Sequence, residues 1–174
     1  IVAGSFVEYK NFFAQRKVPR LNLGIKQIGV SGIIRFREAG VDYAVFAKRS
    51  NAVTQYPGFF ELVPSGGLDK KFMGVGDCVN YRSQLLSEFT EETHLSKDCV
   101  KNISEFAFVL DINDNVYDVC CEILINTSKK IFLEKFASSE EYCMPIFIMI
   151  NELKTFVGEN ADFIVPASLA LIEA

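Results

Sequence analysis

Three carboxylates, Glu88, Glu91 and Glu92, fall within the stretch Ser87-Glu88-Phe89-Thr90-Glu91-Glu92-Thr93-His94-Leu95. If residues 79–93 form a helix, Glu88 and Glu92 stand one turn apart and point the same way, with Glu91 adjacent. Upstream lies Pro64-Ser65-Gly66-Gly67, a turn in which glycine lets the backbone come close to a ligand. Carboxylates on one helical turn, facing backbone carbonyls of such a turn, make a cradle for a hard divalent cation, Mg²⁺ or Mn²⁺. Such a cation offsets the charge of a diphosphate and lowers the pKa of a bound water, which is the chemistry of metal-assisted hydrolysis. A solvated acidic face would have the same composition, at a cost of only about 0.2–0.5 kcal/mol per like-charged pair. The coincidence with a glycine turn at the end of a strand favours the cation.

The elements that must position these groups can be read from periodicity. Residues 24–36 read as a long strand with Ile28, Val30, Gly32 and Ile34 on one face, and 41–48 as its hairpin partner across Arg37-Glu38-Ala39-Gly40. A loop over 49–58 leads to a short strand, 59–63, that feeds the glycine turn, and 69–78 reads as a loop rich in Gly and Lys. Asn80 is placed to cap the carboxylate helix and His94 to end it. On a wheel of about 100° per residue, Leu85, Leu86 and Phe89 form the buried stripe; Glu92 lies at its margin, Glu88 slightly farther round and Glu91 nearly opposite. Strands follow at 103–110 and 116–126, joined by the polar turn Asp111-Ile112-Asn113-Asp114-Asn115. A connection over 127–141 leads to a strand at 145–150, then to short helices near 151–156 and 165–173. The sum is one α+β domain with a core of about 24–174 and an amino-terminal extension, 1–23.

The carboxylate stretch resembles the second half of the Nudix box. Glu88, Phe89, Glu91, Glu92 and Leu95 match its pattern, and Gly67 matches the opening glycine. Tyr56-Pro57-Gly58-Phe59-Phe60-Glu61-Leu62-Val63 looks like the segment that leads many Nudix domains into the box, with Phe60 in the usual tryptophan place. Three features depart from the pattern. Ser87 replaces the arginine that holds the catalytic glutamates, His94 replaces a glycine, and Gly67 and Ser87 are separated by twenty positions where the pattern has fourteen. Asp77 is the nearest acidic counterpart of the early glutamate.

The resemblance implies an α/β/α sandwich with a mixed sheet and a pyrophosphohydrolase acting on a nucleoside diphosphate linked to another moiety. It implies metal ligation by Glu88, Glu91, Glu92 and the Gly66 carbonyl, with Glu88 or Glu141 as general base. Glu141, preferred over its neighbour Glu140, lies where several Nudix enzymes carry an additional acidic residue. Glu61, Gly67 and Arg49 are read as substrate-binding, although Glu61 would equally suit a surface ion pair. With Ser87 at the arginine position, Arg82 or Lys70 are the candidates to take over its work. The alternative reading is a Nudix-like domain that binds a nucleotide or a protein partner without hydrolysing it.

Composition excludes several other classes. With 174 residues, nearly half of them hydrophobic and sixteen of them Phe, the chain can bury a core. A net charge of −4 with no basic run argues against an extended nucleic-acid partner. No apolar run approaches the length of a membrane span. Five cysteines without a C-x-x-C pair suit reduced thiols in the cytoplasm, and Cys120 and Cys121, adjacent in a strand, should point to opposite faces. A homodimer is compatible with all of this. The first residue, Ile1, suggests a piece trimmed from a longer protein.

Overall fold

The computed structural model describes residues 4–74, 78–112, 115–136 and 141–173. Strands β1 (Gln27–Glu38) and β2 (Val41–Arg49) form the expected hairpin, closed by Ala39 and Gly40, both at positive φ, with Glu38 opposite Val41. Two central residues at positive φ match the right-handed twist of paired strands. β3 (Phe60–Leu62) lies beside β2, and β5 (Val100–Asp111) and β6 (Val116–Ile125) form the second hairpin. β7 (Tyr142–Met149) runs antiparallel to β2. The segment expected to be only a turn contains a further strand, β4 (Ser65–Gly67), antiparallel to the first half of β1. Glycine has little intrinsic preference for strands; pairing with β1 decides the matter here.

The strand order is β3-β2-β1-β6-β5, with β4 beside β1 and β7 beside β2. β1 and β6 are parallel and the other pairs antiparallel, so the sheet is mixed, as expected. Five helices accompany it among the described residues: α1 (Tyr9–Lys17), α2 (Tyr81–Thr93), α3 (Lys129–Phe136), α4 (Leu153–Asn160) and α5 (Pro166–Glu173). α1 falls in the stretch read as an extension and α3 in the stretch read as a connection. α1 is fastened by Phe12, which is buried, and by Gln15, whose side chain both donates to the Ile25 carbonyl at 2.8 Å and accepts from the Ile25 N–H at 3.0 Å. No helix among the described residues is long and apolar enough to cross a membrane.

Each face of the sheet carries its own core. Val30, Ile34 and Phe36 pack with Leu85 and Phe89 of α2 and with Phe132 and Phe136 of α3. Phe46, Leu62 and Cys120 pack with Ile164, with Leu171 of α5 and with the partly buried Phe156 of α4. Helices therefore cover both faces, an α/β/α arrangement, and Cys120 and Cys121 divide between the two cores as strand alternation requires.

Leu85 and Phe89 are fully buried. Burial of two such side chains contributes roughly 3–6 kcal/mol, enough to fix the rotation of α2. Asn80 caps its first turn by accepting from the Ser83 N–H at 3.1 Å, and His94 ends it in the left-handed conformation at φ 57°. That rotation decides which carboxylates reach the sheet.

Candidate active site

Gln84, Glu88 and Glu92 form one row along α2, four residues apart, and this row faces β4. Glu92 is buried and accepts the Ser65 N–H at 3.1 Å through Oε1, while its Oε2 is buried without a hydrogen-bond partner. Glu88, half-buried, lies against Gly66: a Cβ at that position would stand 2.8 Å from Glu88 Cγ. A side chain at position 66 would displace the Glu88 carboxylate from β4. Gln84 accepts the Asp69 N–H at 2.9 Å and donates to the Glu88 carboxylate.

Glu91 does not join this row. It is exposed and accepts from Ser87 Oγ at 2.6 Å. Among the described residues no group of three or more His, Cys, Asp or Glu is gathered as a metal-ligand set. The wheel had put Glu91 nearly opposite the buried stripe; the family pattern had made it a ligand, and the fold follows the wheel. The Gly66 carbonyl, the other expected ligand, is engaged in the sheet. Gly32 N–H donates to the Pro64 carbonyl at 2.7 Å and Leu68 N–H to the Ile28 carbonyl at 2.9 Å. Midway between them, Gly66 is a hydrogen-bonded partner of Val30, and its carbonyl is turned into the sheet toward β1.

A second acidic group meets the first from β3. Glu61 is buried and ion-paired with Arg49, and it accepts from Tyr142 Oη at 2.9 Å and from Ser65 Oγ at 3.4 Å. Of the two readings open for Glu61, surface ion pair and pocket wall, it combines a buried ion pair with a place in the wall. The Arg49 guanidinium also pairs with Glu141 at 3.2 Å, donates to the Gln55 carbonyl at 3.0 Å and lies over the Tyr142 ring. Its charge is thus divided between two carboxylates, and it acts on the site chiefly by holding them. Glu141 is half-exposed; Glu140 and Asp77 lie outside the described residues.

Electrostatically this edge is strained. Burial pushes the Glu92 carboxyl well above its ordinary range, the charges of Glu61, Glu141 and Glu88 push the same way, and the Ser65 N–H opposes them. Glu61 is also raised by burial, in spite of Arg49 and Tyr142, and Glu88 is raised by burial against the bond from Gln84. A cluster of this kind holds protons or a cation more readily than it holds bare charge.

Glu61, Ser65, Gly66, Gly67, Arg49 and Glu141 border a cavity of about 560 Å³. It runs over the face of β1 that carries Gln27, Gly29 and Ser31, reaches Asp118 of β6, and is walled by residues of α5 and by Tyr9 and Arg16 of α1. Asp118 is buried, and its carboxyl is raised to about 6, first by burial and then by the charges of Asp111 and Glu61, against a bond from Ser31.

Solved structures of similar architecture identify the fold. The NUDIX domain of NrtR from Shewanella oneidensis, solved with ADP ribose, aligns over 96% of this chain and 96% of its own at a TM-score of 0.58 and 12% identity. The chain has the Nudix fold. An Ap4A hydrolase from C. elegans aligns over 84% of this chain and 93% of its own at a TM-score of 0.56 and 14% identity. The C-terminal domain of mouse MUTYH, solved in complex with human PCNA, aligns over 86% of each chain at a TM-score of 0.54 and 11% identity. No protein-family model and no curated protein matches the chain in sequence. One fold thus serves several tasks, and the task here must be argued from the site.

In this Nudix fold the donor set suits a magnesium-like cation through Glu88 and Glu92 alone. Glu92 offers a buried oxygen that nothing else uses, and Glu88 is held a turn away by Gln84. Mg²⁺ commonly takes one or two carboxylates and completes its shell with water and substrate phosphate. Arg82, considered as a replacement for the box arginine, pairs instead with Glu105 at 2.6 Å. The cation that acts on Glu88 is Lys71, not Lys70. Sequence reasoning missed Gln84, Tyr142 and Asp118. Gln84 had a usable signal, four residues before Glu88 and eight before Glu92; Asp118 was one of two acids, with Glu122, in the otherwise apolar run Val116 to Ile125.

Proposed function

We propose that the protein is a metal-dependent pyrophosphohydrolase that cleaves the diphosphate of a nucleoside diphosphate linked to another moiety. The observation that carries this reading is the buried, unpartnered Oε2 of Glu92, one turn from Glu88 and behind the strand β4 whose residues Ser65, Gly66 and Gly67 border the cavity. Mg²⁺ or Mn²⁺ on Glu88 and Glu92 would neutralise the diphosphate and activate a water. Glu88 and Glu92 hold the reacting end, and Gln84 keeps Glu88 against β4. Glu141, half-exposed and tethered by Arg49, is the better placed of the two candidate bases, since Glu88 is bound to Gln84. Water attacks one phosphorus, the bridging P–O bond breaks, the water's proton passes to the base, and two phosphate monoesters leave. The buried thiols of Cys120 and Cys121 fit a reducing cytoplasm.

A second reading is favoured by one specific observation. The third box carboxylate, Glu91, is turned to solvent and bonded to Ser87, so the ligand set is poorer than the family pattern, which suits a domain that binds a nucleotide without cleaving it. A panel of nucleotide sugars, dinucleoside polyphosphates and coenzymes, incubated with Mg²⁺ and with Mn²⁺, separates the two. Metal-dependent release of phosphate monoesters supports hydrolysis. Saturable binding without release supports the binding domain and refutes the first reading.

A further inference from the structure

Away from the acidic edge, the floor of the cavity is three strands wide. Gly67 of β4, Gly29 of β1 and Asp118 of β6 stand side by side in register, with Ser65 and Ser31 adjacent in one direction and Gln27 and Val116 in the other. Two of the three central positions lack a side chain, so the floor is bare backbone between two polar groups that lean over it. A Cβ on Gly29 would collide with Asp118 Oδ1, and one on Gly67 would stand 2.5 Å from Gln27 Nε2. Asp118 is 8% exposed, and what remains of its surface opens on the cavity. A carboxylate buried in the middle of a sheet contributes nothing to packing that an apolar residue would not contribute better. From β4 to β6 is two strand spacings, about 10 Å, the reach of a nucleoside whose diphosphate lies at Ser65 and Glu61.

We propose that Asp118 selects the nucleoside end of the substrate by accepting two adjacent hydrogen-bond donors on its carboxylate, with Gln27 flanking the bound group. The proposal rests on the pyrophosphate reading for the direction in which the substrate lies. A nucleoside offers such a donor pair in two places, the N1–H and N2–H edge of guanine and the 2′,3′-diol of ribose. An ionised carboxylate is an acceptor only, so it suits both pairs and rejects an edge that presents an acceptor. The roof, made by Ala167 and Leu171 of α5 and by Tyr9 of α1, is mostly apolar and suits the face of a ring or sugar.

The test uses unphosphorylated nucleosides with EDTA, so that neither diphosphate nor metal contributes. Affinities of guanosine, inosine, adenosine and 2′-deoxyguanosine are measured by calorimetry or ligand-observed NMR for the whole chain and for Asp118→Asn. Loss of one hydrogen bond to a charged group costs about 10- to 100-fold. If guanine is the source, inosine, which lacks one of the two donors, binds weaker by that factor, adenosine, which lacks both and presents an acceptor, binds weaker still, and 2′-deoxyguanosine does not. In that case Asp118→Asn gains xanthosine, whose N1–H and C2 carbonyl match an amide. If ribose is the source, the three ribonucleosides bind alike and 2′-deoxyguanosine binds weaker. Equal affinity of the wild-type chain for all four, or no binding of any, overturns the proposal without recourse to a variant. So does a folded Asp118→Asn protein with unchanged affinities. Nucleoside selectivity in a chain that cleaves nothing in the pyrophosphate panel would sink the hydrolase reading and leave this one standing.

Discussion

Asparagine at position 118 should make the protein more stable at neutral pH. Asp118 is raised from 3.8 to about 6 chiefly by burial, so the folded state binds its proton more tightly than the unfolded chain does. The stability this provides is complete below about pH 4, is lost as pH rises through 6, and stays lost above it. Two pKa units at about 1.4 kcal/mol each give a penalty of ~3 kcal/mol at pH 7.5. Asparagine carries no charge and can still accept from Ser31, while its amide adds a burial cost of about 1–2 kcal/mol. The net expectation is a gain of about 1–2 kcal/mol, or roughly 2–8 °C in Tm for a chain of this size. Urea unfolding of both proteins in EDTA, from pH 4 to 8, reads it directly. Glu61, Glu88 and Glu92 are raised as well and tilt both curves the same way, so the difference between the curves isolates Asp118. That difference should be near zero or reversed at pH 4 and grow through pH 6. A variant less stable at pH 7.5, or a difference indifferent to pH, would refute the reasoning.

Glu92→Gln keeps an acceptor for the Ser65 N–H but removes the charge; circular dichroism should be unchanged, Mn²⁺ binding by calorimetry should be lost, and Mg²⁺-dependent turnover should fall by at least ~10²-fold. Gln84→Met releases Glu88 from its tether and should weaken Mn²⁺ binding about 10- to 100-fold, read by electron paramagnetic resonance, with nucleoside affinity unaltered. Glu141→Gln should bind metal and substrate normally, lose about 10²-fold in kcat and lose the acidic limb of the pH–rate profile; retention of both would return the base to Glu88.

The carboxylate helix was legible because its signals are local. Leu85 and Phe89 set the buried stripe, Asn80 and His94 the ends, and a rotation fixed by these residues put Glu92 inward and Glu91 outward whatever the rest of the chain did. Both hairpins were legible for the same reason. What escaped depends on partners remote in sequence. Ser65-Gly66-Gly67 becomes a strand only because β1, more than thirty residues earlier, supplies the ladder, and Asp118 becomes a cavity residue only because its parallel neighbour, at the far end of the chain's first half, is a glycine that leaves room for its carboxylate.

The arginine missing at position 87 shows how a local departure is absorbed by such a fold. An arginine would hold the glutamates through charge-assisted bonds and bring one positive charge with it. Gln84 holds Glu88 from one turn earlier on the same row, its carbonyl oxygen fixed by the Asp69 N–H and its amide aimed at the carboxylate. A neutral tether restrains direction without adding charge. On the metal-dependent reading proposed above, that leaves the charge of Glu88 and Glu92 to be met by a bound cation or a proton, and the unpartnered oxygen of Glu92 is the position open to either.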